Sequence, residues 1–262
     1  MSFTKWCCKY LGWTFVLGML STPCQAEGTV GVVLMHGKWG EPGKHISSLA
    51  GTLSRAGFLV ETPEMPWSKS RQYDKSYEEA MKEIDAAFDR LKAKGATVLV
   101  VAGHSLGANA ALGYAAARPS LAGVVALAPG HVPELPKSME SFHDSVEKAR
   151  KMVAEGKGED MASFKDTNQG KIASITVRAR IYVSYFAPDG PAVMTRNTAS
   201  IQGGAPLLWA VGVSDPMYVR GRAFAFDKAP ANPKNLYLEL SGGHLDTPSL
   251  AADQVVAWIK GL

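Results

Sequence analysis

From residue 29 onwards, the hydrophobic and polar positions of the chain follow two alternating patterns. Short continuous apolar runs predict buried strands, and segments whose apolar residues recur every three or four positions predict amphipathic helices. The predicted strands cover 29–35, 58–62, 98–102, 121–127, 206–212 and 236–240, and the predicted helices 46–56, 77–94, 108–117, 138–155, 217–226 and 249–259. Buried strands alternating with helices indicate an α/β protein with helices on both faces of a mostly parallel central sheet.

The alternation is interrupted by an insert at about residues 132–204. The insert contains one charged helical segment, then a glycine-rich turn and the aromatic run 181–186. No internal repeat or low-complexity segment is visible, so the strands on either side of the insert are expected to form one sheet. In such sheets, functional sites form beyond the carboxyl ends of the strands.

The N-terminal 26 residues have a different character from the rest. Lys5 and Lys9 precede the apolar run 11–20, and small residues lead up to Ala26. This order predicts a secretory signal peptide at 1–26 and a single domain at 27–262. Because the apolar run is too short to span a bilayer, we expect an exported protein, periplasmic or secreted, without a stable membrane anchor.

Composition narrows the chemistry of the exported chain. All three cysteines (Cys7, Cys8 and Cys24) fall in the predicted signal peptide, so we expect no disulfide and no thiolate nucleophile in the mature protein. Losing Lys5 and Lys9 lowers the formal net charge from +4 to +2, which gives no reason to expect nucleic acid as a partner. The histidines lack metal-ligand spacing and the glycines form no dinucleotide or phosphate fingerprint, so we expect no metal and no cofactor.

The sequence Gly-His-Ser-Leu-Gly at 103–107 lies between a predicted strand and a predicted helix. Strand, sharp turn and helix are the setting of a nucleophile elbow, in which a strained serine exposes its hydroxyl. Side chains at Gly103 and Gly107 would collide with neighbouring backbone in such a turn. The pentapeptide alone is weak evidence in a chain this rich in glycine, but its position makes Ser105 a candidate nucleophile.

Two further polar residues follow predicted strands, in the chain order serine, acid, histidine. Asp215 ends the strand at 206–212, and His244 follows two glycines after the last strand. His244 is the candidate base for the serine hydroxyl, and Asp215 would hold its tautomer. Two other acids compete for that place, but Asp189 lies in the insert and Asp246 is only two residues from His244.

Preorganised backbone N–H groups must receive the negative charge of an acyl-transfer intermediate. Leu106 follows the nucleophile and supplies one candidate N–H group. The second is expected in the loop after the first strand, where Gly37 allows close approach. Lys38 is the first choice for this donor and Trp39 the second.

Several other residues are candidates to line a substrate pocket or to support it. Arg71 would meet a substrate carboxylate, or is a surface arginine; Tyr185 would line the pocket, or packs inside the insert. His36 and His104 are expected to be structural, hydrogen-bonded beneath the site. The candidate lining residues are Trp39, Trp67, Arg71, His131 and Tyr185.

Taken together, these motifs resemble the α/β-hydrolase superfamily across nearly all of 29–262. The resemblance rests on His-Gly at 36–37, Gly-His-Ser-Leu-Gly at 103–107, Ser-Asp-Pro at 214–216 and Gly-Gly-His at 242–244. It implies an eight-stranded sheet with the insert as a helical cap over the site. Since the chain enters directly on the strand before His36, the fold is expected to be shortened at its N-terminus to about six strands.

The resemblance also implies a reaction. The triad Ser105, Asp215 and His244 would cleave a carboxylic ester of a small molecule through an acyl-enzyme on the serine, without a cofactor. Amide or thioester hydrolysis and acyl transfer use the same groups, and a non-catalytic ligand-binding protein on the same fold is the other alternative.

Overall fold

The computed structural model describes residues 1–2 and 28–262. Apart from Met1 and Ser2, the predicted signal peptide therefore lies outside the described residues. Within the described part of the chain, no helix is both long and apolar enough to cross a bilayer.

A six-stranded parallel sheet forms the centre of the molecule, in the order β2-β1-β3-β4-β7-β8. A separate antiparallel hairpin, β5–β6, lies in the insert. The strands are β1 (Val30–Met35), β2 (Leu59–Glu61), β3 (Val98–His104), β4 (Gly123–Leu127), β5 (Met161–Asn168), β6 (Lys171–Arg178), β7 (Leu207–Gly212) and β8 (Leu236–Leu240). The predicted α/β class and the shortened parallel sheet are confirmed.

Helices cover both faces of this sheet, because successive strand residues point to opposite sides. Val33 and Val101 belong to the apolar cluster that includes α2 and α3, whereas Val32 and Val100 belong to the cluster with α1 and α8. The helices are α1 (Ser47–Arg55), α2 (Tyr77–Ala93), α3 (Leu106–Ala117), α4 (Pro136–Ala154), α5 (Ala179–Phe186), α6 (Met194–Ala199), α7 (Thr247–Leu250) and α8 (Ala252–Lys260).

Helix α2 shows how local sequence sets the bounds of an element. The Ser76 hydroxyl accepts a hydrogen bond from the Glu79 N–H at 3.2 Å, and the Glu79 carboxylate accepts one from the Ser76 N–H at 2.7 Å. This capping box starts the helix. Gly95, with φ of 96°, follows its last turn, a conformation that glycine adopts without strain. The predicted helix at 77–94 is thus confirmed to within one residue.

The insert differs from its predicted form. It contains the expected charged helix as α4, but also the hairpin β5–β6, which the sequence pattern does not predict. Gln169 and Gly170 connect the two strands with φ values of 49° and 77°. Positive φ at both central residues is the requirement of a type I′ hairpin turn.

The helix predicted at 217–226 is wrong. Three short 3₁₀ turns occupy Tyr218–Arg220, Arg222–Phe224 and Phe226–Lys228. Gly221, with φ of 65°, separates the first two turns and prevents a continuous helix. The helix predicted at 249–259 is present as two pieces, α7 and α8.

Candidate active site

Ser105 sits in a sharp turn between β3 and α3. Its backbone has φ 58° and ψ −118°, a strained conformation for a residue with a side chain. A Cβ atom on Gly103 would lie 2.2 Å from the Gly107 carbonyl carbon, and one on Gly107 would lie 2.6 Å from the Met35 oxygen. Only glycine fits at these two positions. The serine hydroxyl makes no capping bond to α3 and is left for another partner.

That partner is His244, whose ring also contacts Asp215. The Ser105 Oγ lies 2.9 Å from His244 Nε2, and Asp215 Oδ2 lies 2.7 Å from His244 Nδ1. Asp215 is buried, and its other oxygen accepts the Met217 N–H at 2.7 Å. With Nδ1 protonated towards the carboxylate, Nε2 is free to accept the serine proton.

The topology of the sheet explains why these side chains meet. Ser105, Asp215 and His244 follow β3, β7 and β8, and parallel strands end at the same edge. The two competing acids have other partners: Asp246 accepts the Gly243 N–H at 3.0 Å, and Asp189 pairs with Arg150.

The loop after β1 faces the elbow, and Trp67 fixes its turn at residues 36–39, which we call the oxyanion loop. The Trp67 Nε1–H donates to the His36 carbonyl at 2.9 Å, and the Trp67 carbonyl accepts the Trp39 N–H at 2.9 Å. Trp67 therefore holds both ends of the turn at 36–39. Because the Trp39 N–H is used in this way, Trp39 is not available as the second oxyanion donor.

Lys38 and Leu106 retain free backbone N–H groups. Within the described residues, neither N–H donates a hydrogen bond. A Cβ atom on Gly37 would lie 3.0 Å from the Ser105 Cβ, which shows how closely the loop approaches the nucleophile. The two N–H groups expected from the sequence thus lie on the two segments next to Ser105, and neither takes part in a hydrogen bond of the fold.

Two buried histidines support this site. His36 Nδ1 donates to the Gly37 carbonyl at 2.8 Å and Nε2 accepts the Met65 N–H at 3.1 Å. His104 Nε2 donates to the His244 carbonyl at 2.9 Å. Burial lowers the pKa of His36, and burial lowers the pKa of His104 to about 4, so both rings are neutral at pH 7. Both positions fit the structural role expected from the sequence.

The side chain of Lys38 ties the loop to the insert. Its Nζ lies 2.6 Å from Asp166 Oδ1 on β5 and donates to the Thr167 carbonyl at 3.0 Å. The Tyr73 hydroxyl donates to the second Asp166 oxygen at 3.0 Å. Both members of the ion pair are buried, and their network joins the hairpin to the oxyanion loop. The sequence pattern does not identify Asp166, because its role depends on the hairpin β5–β6, which the pattern does not predict.

We expect Asp166→Ala to lower the free energy of unfolding by about 3–5 kcal/mol, because Lys38 would remain as a buried charge without a partner. Chemical denaturation measures this change. Asp253→Ala, at an exposed aspartate in the first turn of α8, is the control and should change the unfolding free energy by less than about 1 kcal/mol, the scale of a helix-dipole interaction. Equal unfolding free energies for the two variants would contradict the role of the ion pair.

Ser105 opens onto two pockets. One, of about 290 Å³, lies between the loop at 37–45 and the hairpin tip, and we call it the loop-side pocket. The other, of about 340 Å³, lies beneath α4, and we call it the cap-side pocket. Asn168 and Gln169 of the hairpin tip border both pockets. No group of three metal-ligating side chains was found in the part of the chain that the structure describes.

Two of the five candidate lining residues border these pockets. Trp39 lines the loop-side pocket, and His131 lines the cap-side pocket. His131 Nε2 donates to the Tyr185 carbonyl at 2.8 Å. Burial, with a smaller effect of Lys38, lowers the pKa of His131 well below its usual value, so this residue is a neutral part of the wall.

The predictions for Trp67, Arg71 and Tyr185 are wrong, since none of them lines either pocket. Trp67 is buried beneath the oxyanion loop. The Arg71 guanidinium is occupied by Glu83, with bonds of 2.6 and 2.7 Å, and by the Glu64 carbonyl. The Tyr185 ring is fully buried and packs edge-on against other aromatic rings, as in the packing alternative.

Comparisons with known proteins agree with this architecture. A family model described as serine aminopeptidase, S33 (Hydrolase_4) matches residues 29–244, and the chain belongs to this family of the α/β-hydrolase superfamily. A search of curated proteins finds no match to the chain.

Solved structures of similar fold include several lipolytic enzymes. The monoacylglycerol lipase of Paleococcus ferrophilus is 23% identical, with 89% of this chain and 96% of that chain covered and a TM-score of 0.63. A structure from work on the metagenome-derived lipolytic enzymes LipS and LipT is 19% identical, with 90% and 95% covered and a TM-score of 0.62. Est1E of Butyrivibrio proteoclasticus, solved with ferulic acid, is 19% identical, with 89% and 88% covered and a TM-score of 0.58. These likenesses establish the fold.

Proposed function

We propose that this protein is an exported serine hydrolase that cleaves a carboxylic ester of a small molecule. The observation that carries the proposal is the continuous chain of contacts from Ser105 Oγ through the His244 ring to the buried Asp215 carboxylate. Export rests on the signal-like residues 1–26 alone.

Acylation begins at the serine hydroxyl. Ser105 Oγ attacks the acyl carbon while its proton passes to His244 Nε2, and Asp215 stabilises the imidazolium that forms. The negative charge on the former carbonyl oxygen is received by the N–H groups of Lys38 and Leu106. When the tetrahedral intermediate collapses, the bond to the alcohol breaks and His244 returns the proton to the leaving oxygen.

Deacylation uses the same groups in the same order. A water molecule gives its proton to His244 Nε2 and attacks the acyl carbon of the ester formed with Ser105. Collapse of the second intermediate releases the carboxylic acid and restores the serine hydroxyl. The two small pockets on either side of Ser105 would hold the acyl and alcohol parts.

The family description names aminopeptidases, and the pockets favour an ester over that alternative. A free α-amino group is partly cationic at neutral pH and calls for a carboxylate in its binding site. Among the described residues that line the two pockets, Asp215 is the sole acid, and its carboxylate is hydrogen-bonded to the His244 ring. The charged side chains that line the pockets are otherwise lysines, and their positive charge would repel an ammonium group.

The test is hydrolysis of p-nitrophenyl esters from acetate to palmitate, with a fluorophosphonate probe run in parallel. We expect turnover of the shorter esters, because pockets of about 290 and 340 Å³ are small, and covalent labelling at Ser105. Mass spectrometry of the labelled peptide identifies the site. Absence of both turnover and labelling would favour a ligand-binding protein on the same fold.

A further inference from the structure

We propose that the substrate carries an anionic group, such as a carboxylate, and that Lys44 and Lys171 bind this group in the loop-side pocket. The inference rests on the proposed function, since it names the class of ester. It assigns a specificity role to two residues that belong neither to the triad nor to the two oxyanion donors.

The two lysines come from separate parts of the fold. Lys44 lies in the loop between β1 and α1, and Lys171 is the first residue of β6 in the hairpin. Both line the same pocket as Ser105, and both are exposed. Within the described residues neither forms a salt bridge, in contrast to Lys38, whose charge is taken up by Asp166. Two uncompensated cations therefore face one cleft.

The rest of the loop-side pocket does not offset this charge. No aspartate or glutamate lines it among the residues that the structure describes. The nearby Asp246 carboxylate accepts the Gly243 N–H at 3.0 Å and is not among the lining residues, although its charge acts on the His45 ring as the last of the causes that shift the pKa of His45. Burial, followed by the charge of Lys44, lowers the pKa of His45, so this ring adds no opposing or further charge at pH 7.

The opposite side of the nucleophile has a different character. The cap-side pocket has apolar side chains from the insert and from the segment after β7, namely Val132, Leu135, Phe142, Pro216 and Met217. Ser105 thus lies between a basic pocket and a mainly apolar one. An ester with a negative charge on one side of the scissile bond and an apolar group on the other complements both pockets.

Exposed charge pairs are weak individually, so the expected preference is modest. Each lysine should contribute about two- to fivefold to the selectivity for an anionic over a neutral ester, and both together about tenfold. The preference should fall as sodium chloride is raised, because salt screens exposed charges at these separations.

Two matched ester pairs test the proposal. Monomethyl glutarate carries the charge in the acyl part and is compared with dimethyl glutarate by methanol release. Pentanoyloxyacetate carries it in the alcohol part and is compared with pentanoyloxyacetamide by pentanoate release. We expect a higher kcat/KM, through a lower KM, for the anionic member of one pair, and this pair identifies which part enters the loop-side pocket.

The variants are Lys44→Gln, Lys171→Gln and the double variant. Each should lower the ratio of anionic to neutral kcat/KM, with the double variant losing about tenfold. Lys82→Gln on α2 removes the same charge from an exposed position outside both pockets and should leave the ratio unchanged. A wild-type enzyme without preference in either pair, or a double variant that keeps it, overturns the proposal.

Binding to Ser105→Ala separates this proposal from the proposed function. Calorimetric titration of that variant with the four esters does not require turnover. Tighter binding of an anionic ester, lost when Lys44 and Lys171 are also replaced by glutamine, supports the anion site even if no ester is hydrolysed. Equal binding of charged and neutral esters overturns the anion site, whatever the outcome for catalysis.

Discussion

Ser105→Ala should lower kcat/KM for p-nitrophenyl esters by about 10⁶-fold, the scale of nucleophile removal in serine hydrolases. In the proposed reaction the Ser105 Oγ atom forms the bond to the acyl carbon, so neither His244 nor the oxyanion donors can replace it. Its hydroxyl makes no structural hydrogen bond besides the one to His244. The melting temperature should therefore stay close to that of the wild type.

Ser120→Ala is the matched control for this variant. Ser120 is exposed in the connection between α3 and β4, and the same atom is removed without touching the site. Steady-state kinetics and thermal unfolding of the two variants are compared. Turnover by Ser105→Ala at the wild-type rate, with a normal melting temperature, would refute the assignment of the nucleophile.

Asp215→Asn should lower kcat by about 10⁴-fold while leaving KM within a few-fold. Asparagine keeps the shape of the side chain but presents an amide N–H to the His244 ring. Nδ1 would then be unprotonated and Nε2 would carry the proton, so the ring could not accept the proton of Ser105. The loss falls on the chemical step and appears in kcat.

Asp246→Asn discriminates between the two acids close to His244. The Asp246 carboxylate accepts the Gly243 N–H and does not contact the His244 ring, so this variant should keep most of the wild-type kcat. A loss in Asp246→Asn as large as in Asp215→Asn would show that the acid has been misassigned. Both variants should unfold cooperatively in the same denaturant range.

Continuous apolar runs and glycine positions made the sheet and the triad predictable. Strands such as Val98–His104 are buried on both sides, so their sequence signal does not depend on what packs against them. Ser105, Asp215 and His244 each follow such a strand, and the shared edge of a parallel sheet brought them together. Their order along the chain supplied the remaining information.

The insert was predicted less well, for physical reasons. Strands β5 and β6 are exposed along much of their length, and residues such as Lys165 and Thr176 give them no clear apolar face. Their partners lie in the oxyanion loop and on α4, which local sequence does not reveal. The predictions for Arg71 and Tyr185 are wrong for a similar reason. The same residue types line pockets and form buried contacts, and only the tertiary packing decides which of the two a residue does.

The ion pair between Lys38 and Asp166 constrains how this protein can be engineered. Replacing the hairpin by a graft to change the pocket also removes the Asp166 carboxylate, which neutralises the buried charge of Lys38. The graft must therefore restore an acid at the register of Asp166. It must also keep a donor at Asn168, whose amide reaches the Lys38 carbonyl at 3.4 Å, and at Gln169 a residue that tolerates a φ of 49°. Since Asp166 lies only two residues from the end of β5, the part of the hairpin next to its turn is the part that a graft must preserve.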